Sequence, residues 1–378
     1  MKPFVPEKLP LKTLEWEPLI PLIGKANRAL AYYDGILGAL SNPDVLLSPL
    51  TTQEAVLSSK IEGTQATLSE VLRFEAGEAP KEESRRLDIE EIMNYRRAMR
   101  LAESELQARP FSLNLLKKLH AILLTGVRGR DKAKGQFRTT QNWIGTPGSP
   151  IEEASFVPPD PMLLMECLDN WEKYYHLDRP DPLVQLAIVH AQFEIIHPFL
   201  DGNRRLGRMI IPLFLYEKRL LSRPVFYISA YLEDHRDEYV ERLRLLGAEQ
   251  DAPQRADASG WNQWVRFFLT ALHEQAQANT AKARQIIDLY ERLKSRVIDL
   301  THSRFAVPLL DQMFKQPVFP SNILDDLPGM PTKAAILTLL NKLKKGGVLK
   351  VMREGSGRRP QVLALAELIN LCEGKDVI

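Results

Sequence analysis

Two strongly apolar stretches in this chain are separated by only twelve residues. The first is Pro182-Leu-Val-Gln-Leu-Ala-Ile-Val-His-Ala-Gln-Phe-Glu-Ile-Ile196 and the second is Met209-Ile-Ile-Pro-Leu-Phe-Leu-Tyr216. Both read as core-forming helices, the first apolar almost all the way round. The connecting segment is His197-Pro-Phe-Leu-Asp-Gly-Asn-Arg-Arg-Leu-Gly-Arg208. Its dense polar cluster is therefore held between two core helices. Each of its polar groups needs a ligand, a partner or water.

The spacing within that segment dictates its chemistry. Gly202-Asn203 makes the tight turn that opens a helix at about Arg204. Free N–H groups at a helix start, aligned with the helix dipole, form an anion site. Arg205 and Arg208 are three residues apart and project from one side of that helix. Two guanidinium forks beside an anion nest suit a polyphosphate. Asp201 offers an oxygen ligand for Mg2+, which usually takes one or two carboxylates plus phosphate oxygens. His197 lies one short loop away, where it could take a proton from an attacking hydroxyl. Any one of these residues could equally belong to a helix-capping loop with solvated arginines. The whole set in this order points to a nucleotide site.

These residues resemble the Fic family motif, His-Pro-Phe-x-Asp/Glu-Gly-Asn-Gly/Lys-Arg-x-x-Arg. The departure is Arg204, where the family has Gly or Lys. The resemblance implies an enzyme that transfers AMP from ATP to a protein hydroxyl. It also implies roles for individual residues. His197 would be the base and Asp201 the Mg2+ ligand. Gly202 and Asn203 would cradle the phosphates, Arg205 and Arg208 would grip the outer ones, and Arg204, Leu206 and Gly207 would complete the nucleotide loop.

Further segments are similar to the same family. Gly135-Gln-Phe-Arg138, Gln141-Asn-Trp-Ile-Gly145 and Ala154-Ser-Phe-Val-Pro-Pro159 surround the turn-rich Thr146-Pro-Gly-Ser-Pro150. Two short β-prone runs about such a turn read as a hairpin. In the family this hairpin is the flap that holds the target segment, so a protein substrate is expected along residues 141–159. An exposed hairpin edge pairs with an extended peptide through main-chain bonds. Ser58-Ser-Lys-Ile-Glu62-Gly63 resembles the family's Ser/Thr-x-x-x-Glu-Asn/Gly inhibitory motif. The preceding run from Thr51 reads as one helix that ends at Gly63, with Ser58 and Glu62 on a shared face. By resemblance Glu62 would pair with Arg208 and keep the ATP γ-phosphate from its productive place. Tyr239, followed here by Val240, resembles a family tyrosine beside the adenine. His190, seven residues before His197, reads as a partly buried histidine rather than a zinc ligand.

The expected architecture is mostly α-helical. Residues 1–100 form an N-terminal helical region carrying the inhibitory motif. Residues 101–272 form a Fic catalytic core with a β-hairpin flap. Residues 273–301 form a linking helix with Ile286, Leu289, Leu293 and Val297 as its apolar stripe. Residues 302–378 resemble a winged helix-turn-helix: an apolar helix over 305–314, a short one over 321–327 closed by Pro328-Gly329, and a third capped by Thr332. The third helix faces outward with Lys333, Asn341, Lys342, Lys344 and Lys345. Two strands then flank a wing bearing Arg353, Arg358 and Arg359. That basic face is a candidate DNA contact, and a protein-interaction module is the alternative.

At 378 residues the chain is long enough for two or three domains. Cys167 and Cys372 provide neither a disulfide framework nor metal spacing, which suits a reducing cytoplasm. No stretch approaches about 18 uninterrupted apolar residues, so no membrane association is expected. The net charge of +2 does not by itself indicate nucleic acid. The reading is thus a cytoplasmic protein adenylyltransferase, with self-modification and homodimer formation as open questions. Two alternatives stand beside it: an ATP-sensing, DNA-binding regulator with a dormant core, and a Fic enzyme that removes AMP or uses another donor.

Overall fold

The structure is a computed structural model that describes residues 2–40, 42–127, 133–146, 148, 150–248, 259–325, 331–357 and 359–378. It is mostly helical. The N-terminal part contains α1 (Ile20–Ala39), α2 (Pro43–Leu46), α3 (Ser48–Lys60), α4 (Leu68–Glu75) and α5 (Glu83–Leu106). The central part contains α6 (Leu113–Leu123), α7 (Leu164–His176), α8 (Pro182–Ile196), α9 (Asn203–Glu217), α10 (Ser229–Asp234) and α11 (Arg236–Ala248). A 43-residue helix, α12 (Ser259–Thr301), then runs into a smaller unit. That unit holds α13 (Ala306–Lys315), β1 (Val318–Pro320), α14 (Lys333–Lys345), β2 (Lys350–Arg353), β3 (Val362–Ala364) and α15 (Ala366–Glu373).

Helix α8 is the axis of the larger unit. Asp181 caps its start, accepting from the Leu183 and Val184 N–H groups at 3.0 and 2.9 Å. Pro182 at the first position fits the same start. Every side chain from Leu183 to Ile196 is buried, because neighbours cover α8 on all sides. Helices α7, α9 and α12 pack directly against it. Two buried indoles fix its height: Trp171 on α7 donates to the Val189 carbonyl and Trp264 on α12 to the Ala187 carbonyl, both at 2.8 Å.

Helix α3 begins at Ser48, a turn before the expected Thr51, and Thr51 and Thr52 bond back to the Ser48 carbonyl. It ends at Lys60. Ile61, Glu62 and Gly63 form the closing turn, in which the Gly63 N–H donates to the Lys60 carbonyl at 2.8 Å. Gly63 has φ +97°, the left-handed conformation that a helix stop requires.

The expected boundary at residues 272 and 273 falls inside α12. No glycine or proline interrupts residues 261–301, and one apolar stripe (Ala276, Ala283, Ile286, Leu289, Leu293, Val297) stays buried along it. It packs on α1 and α8 of the larger unit and on α13, α14 and α15 of the smaller one, and α1 still meets it at Arg284. In the smaller unit the three strands form one antiparallel sheet in the order β1-β3-β2. Strand β1 was not anticipated, because Val318-Phe-Pro is too short to show a period. Residues Ser321–Leu324 form a 3-10 turn where a second helix was expected.

The smaller unit sits on the N-terminal helices. Ser48 Oγ donates to the Lys315 carbonyl at 3.0 Å, and Gln53 Nε2 to the Cys372 carbonyl at 2.6 Å. Pro147 and Ser149 of the flap tip, Leu327, Pro328, Gly329 and Arg358 lie outside the described residues. Among the described residues, no helix is long and apolar enough to cross a membrane.

Candidate active site

The loop from His197 to Gly202 joins the end of α8 to the start of α9. His197 itself has φ +48° and ψ +61°, which turns the chain sharply out of α8. A single arginine secures that turn. Arg138 is 2% exposed, and its Nε donates to the His197 carbonyl at 3.0 Å. Its Nη2 reaches the Ile196 carbonyl at 3.4 Å and the Pro159 carbonyl beyond the flap. Its own N–H donates to the Pro198 carbonyl at 2.9 Å. A cation at the C-terminal end of a buried helix also meets the negative end of the helix dipole. The sequence marked Arg138 only as part of a family segment; the structure makes it the clamp on the His197 turn.

Asn203 holds the same loop from inside. Its side chain accepts from the Phe199 N–H at 2.9 Å and donates to the Phe199 carbonyl at 2.8 Å. Its amide is thereby committed to loop geometry. Gly202 has φ +77° and its N–H donates to Asp201 Oδ1 at 2.6 Å. His120 on α6 is a site residue that sequence reasoning missed. Its Nδ1 accepts from the Gly135 N–H at 2.7 Å, which leaves Nε2 as the protonated nitrogen facing the Asp201 carbonyl at 3.1 Å. The ring stacks on Phe199 with centroids 3.9 Å apart. No motif in the sequence connects positions 120 and 201; only the packing of α6 against α9 does.

The three arginines have different fates. Arg208 is fully buried. Its Nε donates to Ser58 Oγ at 2.8 Å, and its Nη2 to the Ser58 carbonyl at 2.6 Å and to Glu62 Oε1 at 2.8 Å. Arg205 is nearly buried and pairs with Glu91 of α5 at 3.2 Å. Arg204 is about one-third exposed and approaches Glu62 Oε2 at 3.7 Å. Glu62 therefore sits between Arg204 and Arg208, at the edge of a cavity of about 380 Å3. His197, Asp201, Gly202 and Asn203 line that cavity, and so do Trp143 and Ile144 of the flap. Its volume lies within the usual range for small-ligand pockets.

The flap is two segments joined at one antiparallel bridge, Ile144 with Phe156, with a 3-10 turn over Ile151–Glu153. Asn142 ties it to the site by donating to the Phe199 carbonyl at 3.0 Å. A second, smaller cavity lies on the other side of Ile144 and Arg204, lined by Glu194, Phe156, Arg236 and Tyr239 among others. Tyr239 is only 2% exposed, and its hydroxyl lies 2.9 Å from His190 Nε2. His190 is wholly buried, where the sequence suggested a partly buried side chain; its Nδ1 lies 3.0 Å from the Gly207 carbonyl. Gly207 has no room for a side chain, since a methyl there would collide with the Glu194 carboxylate. Leu206 is buried in the core rather than presented to the cavity.

Burial controls the protonation states. It pushes His197 down to about 4, and the neighbouring Arg204 charge acts in the same direction. The imidazole is therefore neutral at pH 7 and able to accept a proton. Burial likewise lowers His120 to about 4 and His190 to about 3. Glu62 behaves differently: burial would raise it, but Arg208 and Arg204 outweigh burial and hold it below the usual carboxylate range. Burial does prevail at Glu194 and Glu54, which rise to about 7 and about 8.

Among the described residues, no cluster of three or more His, Cys, Asp or Glu side chains could enclose a metal. Asp201 at the cavity wall nevertheless fits Mg2+, which needs few protein ligands when phosphate oxygens and water supply the rest.

Comparison with known proteins agrees with this geometry. The Fic/DOC family N-terminal pattern matches residues 20–104, and the Fic/DOC family pattern matches residues 110–215. Together they cover about half of the sequence, and the chain belongs to the Fic/DOC family. It is 28% identical over 159 residues to "Protein adenylyltransferase Fic" of Drosophila grimshawi, covering 41% of this chain and 29% of that one. It is also 28% identical over 114 residues to the protein of the same name from Drosophila erecta, covering 29% and 20%. The chain thus spans under a third of the length of these curated relatives. A crystal structure of a Fic family protein from Desulfovibrio desulfuricans G20 superposes with a TM-score of 0.56 over 96% of this chain and 98% of that chain, at 19% identity. The mostly helical fold is the Fic fold.

The perturbed groups predict a specific pH profile. Between about pH 4 and 6.5 the unfolded chain protonates His120, His190 and His197 while the folded chain does not, so these histidines make stability fall as pH falls. Glu54 and Glu194 act oppositely: the folded state keeps their protons up to about pH 7–8 and the unfolded state loses them above about 4.5. Below pH 6.5 the three histidines outweigh the two glutamates, and above it only the glutamates titrate. Melting temperature measured across pH 4.5–8.5 is expected to peak near 6.5, and Glu54→Gln should flatten the alkaline limb.

Proposed function

We propose that the chain is a protein adenylyltransferase, which moves AMP from ATP to a Ser, Thr or Tyr hydroxyl of a target protein and rests in an autoinhibited state. The observation that carries this reading is the Glu62–Arg208 ion pair at the wall of the His197 cavity. The helix start at α9 and the Arg204 guanidinium offer the cavity's positive charge to a polyphosphate, with Arg205 beside them held by Glu91. The flap at Asn142–Gly145 offers main-chain groups to an extended target segment. His197, neutral and at the cavity wall, takes the hydroxyl proton as the oxygen bonds to the α-phosphorus and pyrophosphate leaves. Mg2+ held at Asp201 would neutralise phosphate charge. Positioning and charge stabilisation account for most of the rate in such transfers.

In the resting state Glu62 occupies the guanidinium that a γ-phosphate needs. Both anions cannot be satisfied by the same Arg208 edge, and Glu62 stays ionised because two arginines hold it so. The reading is supported by names given to relatives that the chain matches only in part, and a different donor would use the same nest.

The C-terminal unit supports a second, independent reading as a winged helix that meets DNA. The strand order β1-β3-β2 and the position of α14 before a two-stranded wing suit that fold, and Lys345 and Asn341 on α14 are exposed. Some of the expected basic residues are engaged inside the protein: Lys342 donates to the Thr301 carbonyl at 3.1 Å, Lys344 to Gln361 at 2.8 Å, and Arg353 pairs with Glu78 at 3.5 Å.

Three measurements test these readings. His197→Ala is expected to cut AMP transfer from radiolabelled ATP by about 10²–10⁴-fold while ATP binding persists; undiminished labelling would end the proposed mechanism. Glu62→Gly is expected to raise transfer, including self-modification, above a low wild-type rate. Adding Arg208→Ala should abolish that gain, because the released guanidinium is what orients the phosphate. For the second reading, the full chain should shift duplex DNA at low salt and lose it steeply as salt rises; no binding at low salt would leave a protein-interaction module.

A further inference from the structure

A larger cavity, about 470 Å3, lies further along the inhibitory helix, toward its N-terminal end. It opens between α3, α5 and the segment Arg223–Tyr227, and Lys315 of the smaller unit closes one edge. Its walls are mainly apolar, formed by Leu47, Met99, Pro212, Val225 and Phe226. The catalytic reading uses none of these residues. Apolar walls with a few convergent polar groups are the usual make-up of a small-molecule site.

The polar groups specify the ligand. Tyr227, which lines the cavity, is buried at 7% exposure, and its hydroxyl has no hydrogen-bond partner among the described residues. A buried orphan hydroxyl calls for an acceptor. Of the charged lining residues, Arg223 is paired with Asp44 and Arg96 with Glu75. Arg100 and Lys315 are exposed and have no ion-pair partner among the described residues, and the Glu103 carboxylate on the same wall brings one opposing charge. About one positive charge is left over at the rim. A single-charged acceptor on an apolar body fits that balance, whereas a phosphate dianion would bring surplus charge toward Glu103 and Asp44.

We propose that this cavity is an effector site for a small organic monocarboxylate, seated with its apolar body on Met99 and Phe226 and its carboxylate toward Arg100 and Lys315. The site is coupled to the inhibitory contact by one helix. Ser48, Thr51 and Glu54 of α3 line it, and Glu54 stands one helical turn before Ser58 on the same face. Glu54 anchors α3 to α10 by accepting from Ser229 Oγ at 2.6 Å and from the Ser229 N–H at 3.2 Å. The cavity is formed while Glu62 holds Arg208. A ligand that fills it there stabilises that arrangement, and by reciprocity productive ATP binding weakens the ligand. The effector is therefore an inhibitor. This regulatory half rests on the adenylyltransferase reading; the binding half does not.

The test uses the full chain and three probes, benzoate, 3-phenylpropionate and hexanoate, with their neutral amides as controls. Ligand-observed NMR is expected to detect binding of at least one acid and of none of the amides. Arg100→Glu with Lys315→Glu, both exposed and safe for folding, should weaken it at least tenfold. Met99→Trp, which fills the cavity from a partly exposed position, should abolish it. If no acid binds, if the amides bind as well as the acids, or if binding survives these changes, the site is refuted. The bound acid should lower AMP transfer by wild type at least threefold and leave Glu62→Gly transfer unchanged while still binding to it. Binding without that difference overturns the regulatory half. Absence of transfer even in Glu62→Gly would instead remove the catalytic reading and leave the binding result standing.

Discussion

A guanidinium buried without solvent contact must be paired, and Arg208 makes that requirement the organising constraint of this protein. Removing one partner of a buried ion pair costs about 3–5 kcal/mol, because the other charge is left stranded. Arg208 is paired by helix α3 and its closing turn, through the Ser58 hydroxyl and carbonyl and the Glu62 carboxylate, while its Nη1 has no hydrogen-bond partner among the described residues. Ser58 and Arg208 lie where solvent cannot replace them, but Glu62 keeps about a quarter of its side chain exposed at the cavity. Only an anion entering from the cavity can substitute for it. In the proposed reading the same physical demand would keep the resting state closed and make a polyphosphate the natural replacement. Protonation offers no easy release, since Arg204 and Arg208 hold Glu62 ionised.

Burial of the same region sets the base. His197 stands at the end of a helix with no solvated face, so its charged form is disfavoured and the neutral imidazole prevails. The polar clamp around it is made of backbone groups and fixed amides: Arg138 on three successive residues, Asn203 on Phe199, His120 on Asp201 and Gly135. Each of these groups is satisfied, which holds the loop in one shape. A site held this way needs little rearrangement when a substrate arrives.

Much of this arrangement was legible in the sequence wherever a short run of residues carries its own geometry. Pro182–Ile196 had to be buried because it has no polar face, and Gly202-Asn203 had to start a helix because of what glycine allows. Ser58 and Glu62 share a face by helical period alone, and their resemblance to a family motif supplied Arg208 as the partner. What the sequence did not disclose depends on contacts between distant segments. Nothing in the run 113–123 announces that His120 faces Asp201, and nothing in Gly135-Gln-Phe-Arg138 says that the arginine reaches three backbone positions of a helix end. Spacing reads Arg205, and the family resemblance reads Asn203, as ligand contacts. In the structure Arg205 also pairs with Glu91 and Asn203 also holds Phe199, contacts between distant or folded-back groups that spacing, which gives direction and not depth, does not disclose. The boundary expected at residue 272 has no counterpart in the backbone, because α12 runs on uninterrupted from Ser259 to Thr301 and still meets α1 at Arg284.

Arg204 shows how a departure from a family pattern is accommodated. A long side chain at that position would obstruct the anion nest if it turned inward, but here it runs outward along the cavity, about one-third exposed, toward Glu62. It adds a second cation to the hold on Glu62. The two cations differ in kind. Arg208 acts from the interior, where counterions do not reach, whereas the Arg204 contact at 3.7 Å faces the cavity and is open to screening. In the proposed reading the block on the phosphate position is a fixed buried pair reinforced by a solvent-sensitive one. A polyphosphate entering there would meet the exposed Arg204 first and exchange the buried Arg208 last, so that Arg204 would link the approach of the anion to the release of Glu62.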